Sequence, residues 1–307
     1  AYCYTTGTIT LSSQAHVDNF QSSYGPCDTT PFGLSITGDN ITNLSGLADL
    51  KTVRGNLDIT DAYRLNNYAG LANLQAIEGR LRISQSGWSN ASNTYYQIDM
   101  ASLVSIGGDL DVSGTRTDRL TSMQFPVLES LGGSINFNEV PNLSSILLPV
   151  LTSVPGTLRI NAVPIKNVDS FSNITTIGGD LTIANSSQLR QLDGFASVTA
   201  IGGNALLSNN DSMVDLHGLA ALGVITGSLS IEGNAALRAC GGVFTVLNAS
   251  QVGGEISIAN NNTGCQSVDD VLATTGALPA RAAYCYTTGT ITLSSQAHVD
   301  NFQSSYG

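Results

Sequence analysis

Charge is scarce in this sequence, and positive charge scarcest. Charged residues make up 11% of the chain, with 12 Lys and Arg against 23 Asp and Glu, a net charge of −11. Such a chain has no basic patch to displace counterions, which excludes a nucleic-acid partner. No apolar run reaches the roughly 20 residues needed to cross a bilayer, so no membrane span is expected. Histidine is nearly absent. His298 sits in a stretch that copies the one holding His16, which leaves only His16 and His217 independent. Serine-hydrolase, zinc-protease, P-loop and dinucleotide-binding motifs are also missing, so the chain reads as non-enzymatic and without cofactor or metal. Ala1 opens the sequence with neither Met nor a leader, the mark of a mature or excised segment.

The chain is instead rich in Ser, Thr, Asn and Gly, with 42% hydrophobic residues, a balance that argues against disorder. Asn-x-Ser/Thr triplets occur at Asn40, Asn43, Asn90, Asn142, Asn173, Asn185, Asn210, Asn248 and Asn261. They predict a secreted eukaryotic glycoprotein. The alternative is a secreted bacterial solenoid in which the triplets carry nothing.

One unit recurs, most clearly at 179–202, GDLTIANSSQLRQLDGFASVTAIG. A glycine corner leads into a strand with Leu181 and Ile183 on one face. A polar turn follows, then Leu189, Leu192, Phe195, Val198 and Ile201. Alone, such a unit cannot bury its apolar face; stacked, each forms the floor of the next. The strand pairs begin at Ile9/Leu11 and Leu34/Ile36, run through Leu57/Ile59, Leu110/Val112 and Leu158/Ile160, and end at Ile256/Ile258, 23 to 29 residues apart after the first. The period predicts a mainly β chain of about eleven stacked parallel rungs, a body roughly 50 Å long at about 4.8 Å per strand.

Both ends carry lid signals. Ser13 reads as the N-cap of a short helix bearing Val17 and Phe20, and Ser267 as the N-cap of another with Asp269 and Asp270 in its first turn. Five cysteines are odd for a secreted chain. Pairing Cys3 with Cys27 and Cys240 with Cys265 staples each lid and leaves Cys285 over. Cys285 is the copy of Cys3, because residues 283–307 repeat residues 1–25 without a single change. Three origins fit: a tandem array of 282-residue units, an engineered duplication or permutation, or a lid exchanged with a neighbouring molecule. The boundaries expected are a solenoid at 1–274 (cap 1–27, rungs 28–264, C-terminal cap 265–274), a linker at 275–282, and the start of the next unit at 283–307.

Three places merit a test for function. The outward strand column runs Asp58, Arg82, Asp111, Asn136, Arg159, Thr182, which is either a solvated face or a ligand strip. Asp109, Asp111 and Asp180 are the carboxylates a β-helical polysaccharide hydrolase or lyase would need. Arginine neighbours suit them better to a salt ladder. The longest rung carries Trp88, Tyr95 and Tyr96, either a contact loop or a local mini-core.

The opening, GTITLSSQAHVDNFQSSYGPCDTTPFGLSITG, resembles that of fungal GPI-anchored cell-wall organisation proteins. Rungs such as IGGDLTIANSSQLRQLDGF resemble the receptor L domain of insulin- and EGF-receptor ectodomains and those fungal proteins. The likeness covers roughly residues 3–275. It implies a right-handed, β-helix-like leucine-rich solenoid with capping helices, and non-enzymatic surface proteins that bind ligands or support cell-wall integrity. The leading expectation is an extracellular structural glycoprotein, a unit that joins copies of itself end to end into a fibre, hair, cell wall or coat and carries glycans. On that reading Asn185, Asn210 and Asn261 decorate one edge. A surface module binding a glycan or protein is the runner-up, and a polysaccharide-active enzyme is the remote alternative.

Overall fold

A computed structural model describes residues 1–84, 95–114 and 119–273. Eleven parallel strands stack in chain order into one long sheet. They are β1 (Ile9–Leu11), β2 (Leu34–Ile36), β3 (Leu57–Thr60), β4 (Leu81–Ser84), β5 (Leu110–Ser113), β6 (Ile135–Asn138), β7 (Leu158–Asn161), β8 (Leu181–Ala184), β9 (Ala205–Ser208), β10 (Leu229–Glu232) and β11 (Ile256–Ala259). From β1 to β10 each strand places two apolar residues, two positions apart, on the buried face, so these positions stack into continuous inner columns. Register follows those columns: Leu158 lies on Leu181 and Ile160 on Ile183, and a one-residue slip would turn every apolar side chain to water.

Two further faces close the coil. Two-residue strands such as Thr176–Ile177 and Ala200–Ile201 form the second. The third consists of 3-10 turns at Ser45–Leu47 and Ala69–Leu71, then three strands (Tyr96–Asp99, Leu120–Gln124, Ser145–Leu147), then 3-10 turns again from Asp169–Phe171 to Gly241–Val243. The 3-10 turns stack backbone on backbone. A Cβ on Gly194 would lie 1.6 Å from the Val168 carbonyl oxygen, so only glycine lets these two rungs meet.

After several strands the chain turns sharply through a left-handed residue. Asp61, Glu139, Ala162, Asn185, Asn209 and Asn260 all have φ between 54° and 56°. Asp and Asn tolerate this geometry, whereas Ala162 holds it against a strain of roughly 1–2 kcal/mol. The turn swings the next residue back into the core: Ala62, Val140, Val163, Ser186, Asn210, Asn234 and Asn261 are all buried.

The ends are capped by helices. Ser13 accepts a hydrogen bond from the His16 N–H at 3.3 Å and opens α1 (Gln14–Asp18), followed by α2 (Phe20–Tyr24). At the far end α3 (Phe244–Asn248) and α4 (Val268–Leu272) pack together, with Ser267 accepting from the Asp270 N–H at 3.1 Å. Cys3 is bonded to Cys27 and Cys240 to Cys265, with Cα separations of 4.9 and 5.6 Å. Cys285, the linker at 275–282 and the repeated stretch 283–307 lie outside the described residues.

Candidate functional site

The broadest candidate site is the outward face of the long sheet. Asp58, Arg82 and Asp111 lie side by side on neighbouring strands, as the sequence columns predict. The ion pairs run differently. Arg80, not Arg82, holds Asp58 at 2.9 Å, while Arg82 reaches Asp111 at 3.5 Å. The hydrogen bond from Arg80 to Asp58 pushes the guanidinium pKa above its usual value. Arg54 pairs with Glu78 at 3.5 Å and lies 4.8 Å over the Tyr2 ring. Further along, Asn136 donates to Asp111 at 2.7 Å. A shallow depression of about 470 Å³ follows, lined by Ser134, Ile135, Asn136, Asn138, Thr157 and Arg159. Among the described residues Arg159 has no acidic partner.

The candidate catalytic carboxylates are committed to the backbone. Asp109 accepts the Ser134 N–H at 2.6 Å, and Asp180 accepts the Asn204 N–H at 2.6 Å. They belong to a corner ladder in which a side-chain oxygen on one rung takes the N–H of the next. Asn56 to Arg80, Ser134 to Thr157, Thr157 to Asp180, Asn204 to Ser228 and Ser228 to Glu255 repeat the bond. An oxygen held this way serves rung stacking, and Asp111 is held between Arg82 and Asn136. His16 accepts the Ser12 N–H through Nδ1 at 3.2 Å inside the N-terminal lid. His217 lies 3.4 Å from Asp215, whose carboxylate also accepts the His217 backbone N–H and caps a 3-10 turn. Among the described residues no group of His, Cys, Asp or Glu is arranged to hold a metal ion, and no helix is long and apolar enough to cross a membrane.

The aromatic loop divides. Trp88 and Asn90 lie outside the described residues. Tyr95 is exposed, but Tyr96 is not the contact residue that the loop reading proposed. It opens the strand Tyr96–Asp99, is buried, and stacks on Tyr68 with ring centroids 5.7 Å apart. The apolar stretch Tyr96, Ile98, Met100 pulls it into the core.

The proposed sugar edge is also corrected. Asn185 is exposed, whereas Asn210 is 0% and Asn261 7% accessible, so the three do not share an outer edge. Asn185 occupies the left-handed corner; Asn210 and Asn261 occupy the position after it, where the chain points inward. There they form a ladder that sequence reasoning missed. Asn210 accepts the Ser186 N–H at 3.0 Å and donates to the Ile183 carbonyl at 2.9 Å. Asn234 accepts the Asn210 N–H and donates to the Leu207 carbonyl, and Asn261 does the same for Asn234 and Ile231. These buried amides cannot carry a glycan without breaking the rungs. The readable signal was the spacing, since Asn210, Asn234 and Asn261 recur five residues after the strand starts at Ala205, Leu229 and Ile256. Of the remaining triplets, Asn40, Asn173 and Asn248 are exposed and Asn43 and Asn142 half-buried.

A second depression, about 450 Å³, opens where the third face changes from strand to 3-10 turn, between Ser145–Leu147 and Asp169–Phe171. Burial, with Asp193 nearby, raises the pKa of Asp169 above the ordinary carboxylate value.

No curated protein and no solved structure matches the chain. The receptor L domain family model matches residues 151–216, which span β7, β8, β9 and the start of the asparagine ladder. That family is a non-enzymatic binding and receptor domain, and with two disulfides it fits an extracellular or surface protein. This part of the chain is therefore similar to a ligand-binding, receptor-like surface module.

Proposed function

We propose that the chain is a repeating unit of an extracellular structural glycoprotein, 282 residues from one start to the next. The units follow one another through 275–282 and build a fibre, hair, cell-wall or coat layer. The supporting observation is the identity of 283–307 with 1–25. The rungs within the unit have diverged while these 25 residues have not, as expected of recent copying of a whole unit. A solenoid suits the role because its stability grows by nearest-neighbour stacking and its length has no intrinsic limit. Sequencing the intact gene tests the reading: a period continuing past either end supports it, and a single unit rejects it. Glycans on Asn40, Asn173, Asn185 and Asn248 would clothe the unit. Peptide mapping of the secreted protein is expected to find sugar there and none on Asn210 or Asn261.

The receptor L domain match favours a second reading, a module that binds a glycan or protein ligand on its sheet face. Arg159, with the depression beside Asn136 and Asn138, is the anchor this reading requires. A monodisperse unit that captures a soluble ligand, and loses at least about tenfold affinity with Arg159→Ala, would establish it (one lost charged contact is worth about 1.4 kcal/mol or more).

A further inference from the structure

The outward column of the long sheet surrounds its two arginines differently. Arg82 on β4 stands between Asp58 on β3 and Asp111 on β5, and reaches Asp111 at 3.5 Å. Arg159 on β7 stands between Asn136 on β6 and Thr182 on β8, both uncharged. It is exposed, and among the described residues no carboxylate pairs with it. In a chain of net charge −11, such a guanidinium is suited to a carboxylate brought from outside.

The groups around it in the shallow depression of about 470 Å³ present donors as well. Four asparagines form an outer ladder across the rungs. Asn209 donates to Asn185 at 3.3 Å, Asn185 to Asn161 at 2.8 Å, and Asn161 to Asn138 at 2.7 Å. All three bonds run the same way and polarise one another. Asn138 is the donor end, its amide N–H group unpaired among the described residues. The Ser134 and Thr157 hydroxyl oxygens accept the N–H groups of Thr157 and Asp180, which leaves each hydroxyl proton free to donate.

Among the described residues that line the depression, none is acidic or aromatic, and Ile135, its apolar member, is buried. A neutral sugar finds no ring to stack on there, and a peptide's apolar side chains find no wall. Carboxylates border the depression: Asp109 and Asp111 on one side, Asp180 on the other, and Glu139 at the corner after Asn138. They leave place for one anionic group and repel a ligand whose charges are closely spaced.

We propose that this depression binds a carboxylated sugar residue within an otherwise neutral glycan. Arg159 and Asn138 take the carboxylate, and Ser134 and Thr157 meet ring hydroxyls. The inference rests on the binding reading of the sheet face and deepens it by naming the ligand's chemical class.

NMR titration of the full chain with a tetrasaccharide alternating glucuronate and N-acetylglucosamine tests this. The comparison is the same sugar with its carboxylates reduced to alcohols, expected to bind at least about tenfold more weakly. Arg159→Gln should weaken the acidic sugar by about tenfold or more. Asn138→Asp, which keeps the acceptor for Asn161 and removes the donor, should do the same. Arg54→Gln, with the same change in net charge far from the depression, should leave binding unchanged. Equal binding of acidic and reduced sugars overturns the acidic class and leaves a binding module standing. No binding of either sugar, tighter binding of an aspartate-rich peptide, or equal losses from Arg54→Gln and Arg159→Gln overturns the site. A ligand captured on another face would still uphold the binding reading, so the two fail separately.

Discussion

The two halves of the solenoid solve the same problem with different chemistry. Along much of the solenoid a residue returns to the core just after a left-handed corner. Up to the seventh strand that residue, where described, is apolar, Ala62, Val140 or Val163; from the eighth strand on it is Ser186, Asn210, Asn234 or Asn261. An apolar residue at this corner contributes burial alone. An asparagine there bonds both a backbone N–H and a carbonyl of the preceding rung, so it fixes both spacing and register. The first half places its polar cross-links outside instead: Arg80 with Asp58, Arg82 with Asp111 and Arg54 with Glu78. Solvated pairs of this kind are worth about 0.2–1 kcal/mol each, so rung spacing should be held more firmly in the second half.

The sharpest way to break this comparison is at the centre of the ladder. Asn234→Ala orphans the Asn210 N–H and takes a donor from the Leu207 carbonyl, and should cost about 3 kcal/mol by urea titration. Val163→Ala, at the equivalent apolar corner, should cost about 2 kcal/mol. A larger loss from Val163→Ala would remove the distinction between the halves. Comparable in size is the C-terminal disulfide. Asn261, last in the ladder, also donates to the Cys265 carbonyl at 3.0 Å. Replacing Cys240 and Cys265 by Ser should cost about 3 kcal/mol, with hydrogen exchange rising first around Asn261. Loss spread evenly over the rungs would detach the ladder from its anchor.

Smaller effects test the outer pairs. Arg80→Met should cost about 0.2–1 kcal/mol at low salt and almost nothing in about 1 M NaCl, where screening is nearly complete. A salt-independent loss would mean that packing, not charge, is the contribution. Smallest is Asp169, at the boundary where the third face returns to 3-10 turns. Its raised pKa means the folded state binds the proton more tightly than the unfolded chain. Its charged form therefore costs stability above the folded pKa, and that cost disappears as pH falls through it. Asp169→Asn should raise the stability measured by urea titration at pH 7 by less than about 0.5 kcal/mol and leave it unchanged at acidic pH. A loss at pH 7 would assign the carboxylate a contact of its own.

Much of this was legible beforehand for a simple reason. Strand alternation has a period of two and the rung a period near 24, so Leu181, Ile183, Phe195 and Ile201 could be assigned to the core without coordinates, and Ser13 and Ser267 to helix caps. Tyr96 was harder, because an insertion beside it hides where the loop ends and the next strand begins. Asn210 and Asn261 were misread because a glycosylation triplet and a core asparagine share the same letters.

The amino-acid order by itself determined the repeat, its inward columns, the paired cysteines and the copied lid, because each is a matter of spacing along the chain. Which asparagine of Asn209-Asn210 or Asn260-Asn261 turns inward was decided only when the rungs stacked. The left-handed corner takes the first of each pair, and the second then meets a backbone N–H and a strand carbonyl on the neighbouring rung. The exposure of Ile256, whose register partner Leu229 is buried, likewise appeared only in three dimensions, since burial at a last rung depends on what stacks there.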